Sequence, residues 1–223
     1  MTLPTLSIEE AQKLAEGPYA QTLLRNLATY VTPLSWTIRV DGDTLKLTNG
    51  TAFFVKTPRA TFGVTAGHVV AGFLAAKAAN RRTICHLLDI ELDLSAAVIS
   101  RGRAADIGTF QISEAVIAKL GKQFTPWPPL MPQAAKGIMY AGFPGAERRQ
   151  VARREFSFGL YGASAIAHSI DQDKITTRVD HSSIVDSIGH GLPPECYDIG
   201  GMSGGPMLTV VDTRTYLKIE SAS

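Results

Sequence analysis

The chain has 223 residues, of which 45% are hydrophobic and 19% are charged, a composition typical of a globular protein of one large or two small domains. A formal net charge of +2 gives no strong attraction to nucleic acid or to a membrane surface. No run of about 18 apolar residues occurs, so no transmembrane helix and no membrane partner are expected.

The N-terminus and the cysteines indicate a compartment. The first residues carry neither the basic segment nor the apolar segment of a secretory signal. The only cysteines, Cys85 and Cys196, suit a reducing environment better than a disulfide-bonded secreted fold. We therefore expect a cytoplasmic protein. The positions of Cys and His show no metal-ligand spacing, and we expect neither a metal nor a cofactor.

Residues 1–33 predict an N-terminal helical extension. Ser7-Ile8-Glu9-Glu10 is typical of a capping box, in which a hydroxyl and a carboxylate satisfy the first N–H groups of a helix. Gly17-Pro18 interrupts the pattern, so two short helices are expected, and Pro33 is expected to end the second. An amphipathic helix packed on the main body is the favoured interpretation, and a helix that docks a partner is the alternative.

Residues 34–121 predict a first β-barrel, because short strands alternate with turn signals. Asp41-Gly42-Asp43 is typical of a hairpin turn. Residues 84–94 end in a strict alternation of apolar and acidic side chains, which predicts one strand with a solvated face. Residues 66–70 lead into an alanine-rich stretch that predicts a helix to about residue 80, and a short helix is predicted over 113–120. The predicted strands are 35–40, 44–47, 51–56, 61–65, 84–94, 96–100 and 107–112.

Residues 122–135 are rich in proline and predict a connector, after which residues 136–223 predict a second strand-rich half. Residues 180–202 form a long irregular segment, and such loops in compact domains are usually functional or mobile. The arginines of 148–154 lack the interleaved aromatic residues of a nucleic-acid patch, so we interpret them as a solvated surface. The predicted strands are 137–141, 151–158, 163–170, 174–179, 207–211 and 216–219.

Gly200-Gly201-Met202-Ser203-Gly204-Gly205-Pro206 encloses one serine among glycines. Attack by a serine on an acyl carbon requires a base within hydrogen-bond reach, a buried carboxylate that orients the base, and N–H donors for the oxyanion. Of the five histidines, His68 is the candidate base, because it follows a strand end and has small neighbours. The other four lie in predicted strands or in the irregular segment: His86, His168, His181 and His190.

Three motifs resemble those of trypsin-like (chymotrypsin-fold) serine peptidases. Thr65-Ala66-Gly67-His68-Val69 resembles their histidine motif and Asp106-Ile107-Gly108-Thr109-Phe110 their aspartate motif. Gly201-Met202-Ser203-Gly204-Gly205-Pro206 resembles their serine motif, and the three occur in the order typical of the family. Gly50-Thr51-Ala52-Phe53-Phe54-Val55 and Gly142-Phe143-Pro144-Gly145 are similar to stretches of bacterial members.

The resemblance covers about residues 34–211 and implies an all-β fold of two antiparallel Greek-key β-barrels with the site in their cleft. It implies that Ser203 is the nucleophile, His68 the general acid and base, and Asp106 the orienting carboxylate. The N–H groups of Gly201 and Ser203 would form the oxyanion hole. The implied activity is endopeptidase hydrolysis of a protein or peptide substrate through an acyl-enzyme.

Two departures from the family bear on activation and specificity. Met202 stands where many secreted members have an aspartate that pairs with a new N-terminus after zymogen cleavage. That mode of activation is therefore not expected, and the active conformation would be set within the chain or by a partner protein or substrate. Tyr197 and Asp198 are candidates for the substrate pocket, where a carboxylate would favour Lys or Arg; loop bracing is the alternative for Asp198.

Other functions stay open. Beyond the predicted strand 207–211 the resemblance implies about two further strands and a terminal helix, of which residues 216–219 can supply one strand, so the second barrel is expected to be incomplete. This favours, as alternatives, a protease-fold binding or effector module with little turnover, or a regulated protease domain separated from a larger partner. A G-x-S-x-G elbow of an α/β-hydrolase is disfavoured, because Pro206 and a strand follow the serine and no histidine follows His190.

Overall fold

The structure, a computed structural model, describes residues 13, 16–39, 45–152, 155–171, 174–177, 185–186, 191–194, 196–212 and 217–221. Strands dominate these residues. In chain order the helices are α1 (Pro18–Tyr30), α2 (Gly67–Ala79), α3 (Leu94–Ala97) and α4 (Glu114–Lys119). The strands are β1 (Val31–Arg39), β2 (Leu45–Lys56), β3 (Thr61–Ala66), β4 (Cys85–Leu87), β5 (Ile90–Leu92), β6 (Val98–Gly102), β7 (Ile107–Gln111), β8 (Gly137–Gly142), β9 (Arg148–Ala152), β10 (Glu155–Phe158), β11 (Tyr161–Ile170), β12 (Ile175–Thr177), β13 (Met207–Asp212) and β14 (Leu217–Ser221).

The first half of the chain is a curled antiparallel sheet. Among the described residues it has seven strands in the order β5-β4-β1-β2-β3-β7-β6. Alternate side chains of these strands point inward, and they enclose a core that includes Phe54, Phe73 and Phe110. The helix α2 contributes Phe73 to this core, so the chain segment that follows β3 is anchored to the sheet.

The second half is an antiparallel sheet whose described strands have the order β12-β11-β8-β13-β14, with the β9–β10 ribbon beside it. Helix α1 packs on this sheet, where Leu27 joins a cluster that contains Met139 and Leu208. A Cβ on Gly162 would lie 2.6 Å from Leu24, so glycine on β11 lets the helix approach the sheet. The curled sheet, the second sheet and the N-terminal helix are consistent with a chymotrypsin-like two-barrel fold, which confirms the predicted fold class.

Pro33 was predicted to end a helix, and this is wrong. Helix α1 ends at Tyr30, and Pro33 lies within β1 opposite Thr51 of β2. Thr51 directs its N–H away from β1, to the carbonyl of Ser203. The Pro33–Thr51 pair therefore exchanges no ladder hydrogen bonds, and a residue without an N–H fits there.

The prediction of one strand over residues 84–94 is also wrong. The chain turns back at Leu88, which has a φ of 55° and is exposed, so β4 and β5 form a hairpin. Asp93 does not lie on a strand face but accepts the N–H of Ala96 as the N-cap of α3. Periodicity misses both features because a two-residue turn and a cap interrupt the strand without interrupting the alternation.

Some predictions fall outside the described residues. These are the capping box Ser7-Ile8-Glu9-Glu10 and the hairpin turn Asp41-Gly42-Asp43. The strands on either side of this turn pair antiparallel, with Arg39 opposite Leu45, which fits a hairpin. The domain boundaries at residues 33, 121 and 135 stay predictions.

None of the described helices is long and apolar enough to cross a membrane. Within the same residues, no group of three or more His, Cys, Asp and Glu side chains could hold a metal ion.

Candidate active site

His68 lies in the first turn of α2, immediately after β3. Two glycines of neighbouring strands let this turn approach the sheet: a Cβ on Gly50 would lie 2.6 Å from Val69, and one on Gly108 would lie 2.6 Å from Val70. Both valines are buried against the sheet. Because His68 precedes them on the helix, its side chain lies on the exposed side.

Asp106 binds the start of α2 through three hydrogen bonds. Its φ of 49° is left-handed, a conformation that Asp adopts more easily than most residues. The carbonyl accepts the N–H of Gly67 at 2.6 Å, and Oδ1 accepts the N–H of His68 at 2.8 Å. Oδ2 lies 2.6 Å from Nδ1 of His68. An ionised carboxylate only accepts, so Nδ1 carries the hydrogen and Nε2 is the basic nitrogen.

The carboxylate of Asp106 is more exposed than the sequence analysis predicts, and the imidazole of His68 is exposed as well. Their side chains are 52% and 59% exposed, because Asp106 lies on the turn before β7 at the edge of the sheet. Partial burial raises the pKa of the Asp106 carboxyl, but the hydrogen bonds from His68 and its charge lower it more. The net pKa lies below the usual value, so Asp106 is ionised at neutral pH.

The predicted oxyanion donors are the N–H groups of Gly201 and Ser203. In a trans peptide the N–H points opposite to the carbonyl of the preceding residue. Both preceding carbonyls are engaged: that of Gly200 accepts the N–H of Gly145 at 2.6 Å, and that of Met202 accepts the N–H of Gly205 at 3.0 Å. The N–H groups of Gly201 and Ser203 therefore point away from these bonds, and neither has an acceptor among the described residues.

The loop of residues 200–206, called the serine loop below, lies against the middle of β2 and the end of β3. Thr51 donates its N–H to the carbonyl of Ser203 at 2.9 Å. Gly204 has a φ of +91°, and a Cβ there would collide with the Thr51 carbonyl and the Thr65 hydroxyl and lie 2.6 Å from the N of Ala66. Only glycine fits this approach. The loop is thus held beside the strand end from which His68 follows.

The structure joins two of the three predicted catalytic side chains directly. His68 and Asp106 are hydrogen-bonded, whereas no hydrogen bond connects the hydroxyl of Ser203 with His68 or with any other described residue. Ser203 is partly buried in its loop. Catalytic hydrogen bonds are often absent or long without substrate and shorten when it binds.

Tyr197 and Asp198, the predicted pocket residues, both have partners within the protein. The hydroxyl of Tyr197 donates to Glu147 at 2.6 Å, and its ring stacks on Tyr161 with centroids 5.4 Å apart. Burial and the hydrogen bond to Glu147 raise the pKa of Tyr197. Asp198 is exposed and accepts the N–H of Gly200 at 2.8 Å, which braces the start of the serine loop.

Sequence reasoning missed the residues that join the two halves at this site. Asn49 donates from Nδ2 to the carbonyl of Phe143 at 2.6 Å and accepts from Arg148 at 2.7 Å. Thr51 donates from its hydroxyl to the carbonyl of Gly201 at 2.9 Å. The family-like stretches at residues 50–55 and 142–145 include Thr51 and Phe143 but do not indicate what either residue binds, and they include neither Asn49 nor Arg148.

Comparisons with known proteins find similarity in structure alone. No protein-family model matches the chain, and no curated protein matches it. The serine protease domain of the Sesbania mosaic virus polyprotein is 14% identical, with 84% of this chain and 86% of that chain covered and a TM-score of 0.41. The thermostable serine protease AL20 from an extremophilic microorganism is 14% identical, with 89% and 92% covered and a TM-score of 0.41.

A third similar chain comes from a structure concerned with coupled folding and binding of the intrinsically disordered Sesbania mosaic virus VPg protein. It is 14% identical, with 88% of this chain and 93% of that chain covered and a TM-score of 0.43. The fold assignment above rests on strand order and register, and these distant similarities add no argument about activity, substrate or partner.

Proposed function

We propose that the chain is a serine endopeptidase that hydrolyses peptide bonds through Ser203, His68 and Asp106. The observation that carries the proposal is the double hydrogen bond from His68 to Asp106, through the backbone N–H and through Nδ1. This arrangement fixes the tautomer and orientation of the ring and leaves Nε2 as a base.

In the proposed mechanism, the hydroxyl of Ser203 attacks the substrate carbonyl while Nε2 of His68 takes its proton. Negative charge develops on the carbonyl oxygen and is met by the N–H groups of Gly201 and Ser203, which have no acceptor among the described residues. His68 then gives the proton to the departing amine, which leaves an acyl-enzyme. Water, deprotonated by His68, releases the acid and restores Ser203.

We propose that the protein is not activated by insertion of a new N-terminus. Met202 carries no charge, and its N–H donates to the carbonyl of Ile199 at 3.1 Å. Hydrogen bonds from Gly145 and Thr51 hold the serine loop. We propose that the resting conformation of the loop is the one that acts. We also propose that Tyr197 and Asp198 border the pocket for the substrate side chain.

The test is cleavage of casein and a peptide library by the wild-type protein and three variants. Ser203→Ala and His68→Ala are expected to lower kcat/KM by about 10³-fold or more. His168→Ala is the control, because His168 is exposed on β11 and has no part in the site. Activity that survives in Ser203→Ala, or that disappears equally in His168→Ala, contradicts the proposal.

A second candidate function is a binding or effector module with little or no turnover. The absence of a hydrogen bond between Ser203 and His68 among the described residues favours it, as does the exposure of the His68–Asp106 pair. In that case folded wild-type protein would cleave no peptide of the library. Peptides selected from the library would then bind the wild-type protein and Ser203→Ala with equal affinity.

A further inference from the structure

We propose that Thr51 is a positioning residue. It holds the serine loop in the conformation that presents the N–H groups of Gly201 and Ser203 to the substrate oxyanion. The inference rests on the proposed function and assigns the control of that site to β2 of the first sheet. Thr51 would act through Gly201 and Ser203 and would not touch the reacting atoms.

Thr51 is fully buried and uses its amide, its carbonyl and its hydroxyl in four hydrogen bonds. The amide donates to Ser203 O at 2.9 Å, and the hydroxyl donates to Gly201 O at 2.9 Å. The hydroxyl accepts the N–H of Phe143 at 3.0 Å, and the carbonyl accepts the hydroxyl of Thr65 at 2.6 Å. One side chain thus connects β2 with the end of β8 and with the serine loop.

The amide of Thr51 is available because the ladder between β2 and β3 ends before it reaches Thr51. The ladder between β2 and β3 ends at the pair Phe53–Val64, so β2 continues past the paired part of β3. The last residues of β3, Thr65 and Ala66, pair with β7, and the N–H of Thr51 binds the carbonyl of Ser203. The hydroxyl of Thr51 binds the carbonyl of Gly201, two residues before Ser203, and completes a two-point attachment.

Every carbonyl of residues 200–203 accepts a hydrogen bond, and Thr51 supplies two of the four donors. Rotation of any peptide in this segment must therefore break a bond. Such rotation is otherwise easy at glycine, and Gly201 has a φ of +102°. The donors to residues 200, 201, 202 and 203 are, in that order, the Gly145 amide, the Thr51 hydroxyl, the Gly205 amide and the Thr51 amide.

Of these donors, only the hydroxyl can be removed without changing the backbone. Its loss leaves the carbonyl of Gly201 and the N–H of Phe143 without partners in a buried place. Gly201 can then leave its left-handed conformation, which turns its N–H away from the oxyanion position. Displacement of a catalytic group by about 1 Å can cost about 100-fold in rate.

The experiment compares Thr51→Val, which is nearly isosteric, with Thr51→Ser, which keeps the hydroxyl. Thr32→Val is the matched control, since Thr32 is equally buried on the adjacent β1 but its hydroxyl has no partner among the residues that the structure describes. Thr51→Val is expected to lower kcat by about 10-fold to 100-fold with KM nearly unchanged. Thr51→Ser should restore most of the rate, and Thr32→Val should match the wild type. A wild-type kcat in Thr51→Val overturns the inference.

A second readout does not depend on activity. Amide hydrogen exchange of the peptide that contains residues 200–205 is expected to be faster in Thr51→Val, but not in Thr51→Ser or Thr32→Val. If the wild type cleaves nothing, the proposed function fails while exchange still tests the attachment. Equal exchange in the wild type and all variants overturns the inference that Thr51 holds the serine loop. If Val at position 51 prevents folding, Thr51→Cys replaces the hydroxyl by a weak donor, and its kcat should be reduced; a wild-type value overturns the inference.

Discussion

Asp106 is the residue whose geometry determines what His68 can do. Its carboxylate accepts two hydrogen bonds from His68, so the ring is held with Nε2 available as the base. Replacement by Asn offers an N–H₂ group to Nδ1 and favours the wrong tautomer. We expect Asp106→Asn to lower kcat by about 10⁴-fold at saturating peptide. Asp89→Asn, at an exposed turn, is the control, and an equal effect of the two variants would contradict this role.

The same carboxylate predicts a pH dependence of stability. Its pKa is lower in the folded protein than usual, because the hydrogen bonds from His68 outweigh partial burial. It therefore stabilises the fold above the ordinary Asp pKa of about 3.9, and this contribution is lost as the pH falls through the folded value. The contribution is at most about 1 kcal/mol, since the pair is half-exposed.

Urea unfolding of the wild type and Asp106→Asn at several pH values measures this contribution. The difference in the free energy of unfolding should be present at neutral pH and disappear in acid. A difference that is constant with pH would show that Asp106 contributes nothing through its charge.

At the scale of elements, the serine loop depends on close approach to β2 and β3. We expect Gly204→Ala to lower the free energy of unfolding by more than about 2 kcal/mol, because a Cβ would collide with the Thr51 carbonyl in a strained left-handed position. Gly121→Ala separates strain from collision, since Gly121 has a φ of +65° but open space around it. Its expected cost is about 1 kcal/mol. Equal costs in urea unfolding would contradict the packing described for the loop.

A second prediction at this scale concerns the hairpin of β4 and β5, which places Cys85 in the core. Burial raises the pKa of the Cys85 thiol on β4 to about 12, whereas Cys196 is exposed. A thiolate-selective reagent at about pH 8 should therefore modify Cys196 alone in the native protein and both cysteines after unfolding. Native Cys196→Ser should resist the reagent. Rapid modification of native Cys85 would show that β4 does not lie in the core.

The elements that sequence reasoning predicted correctly have local causes. Helix α4 begins where Ser113 caps it by accepting the N–H of Val116, as serine followed by a helical pattern indicates. Pro33 and Leu88 were misread because their conformations depend on partners or turns that no local pattern encodes. Whether proline interrupts a strand depends on which neighbour its missing N–H would have faced.

For the whole molecule, the motif resemblance singled out His68, Asp106 and Ser203 but not the contacts that surround them. The His68–Asp106 hydrogen bond follows from a strand, a helix and a turn of one sheet. The attachment of the serine loop joins residues as distant as Thr51 and Gly201, which are 150 positions apart. A threonine hydroxyl has many candidate partners in a chain, and only the packed fold selects among them. The two sheets therefore meet through polar contacts that sequence analysis could not assign.

The proposed function requires that Ser203 is a nucleophile activated by His68 within this fold. Labelling with a fluorophosphonate, followed by peptide mapping, tests it most directly, because the reagent phosphonylates a serine that a base has activated. We expect label on Ser203 alone in the wild type, none in Ser203→Ala, and much slower labelling in His68→Ala. Folded wild-type protein without label on Ser203, or equal labelling in Ser203→Ala, would contradict it.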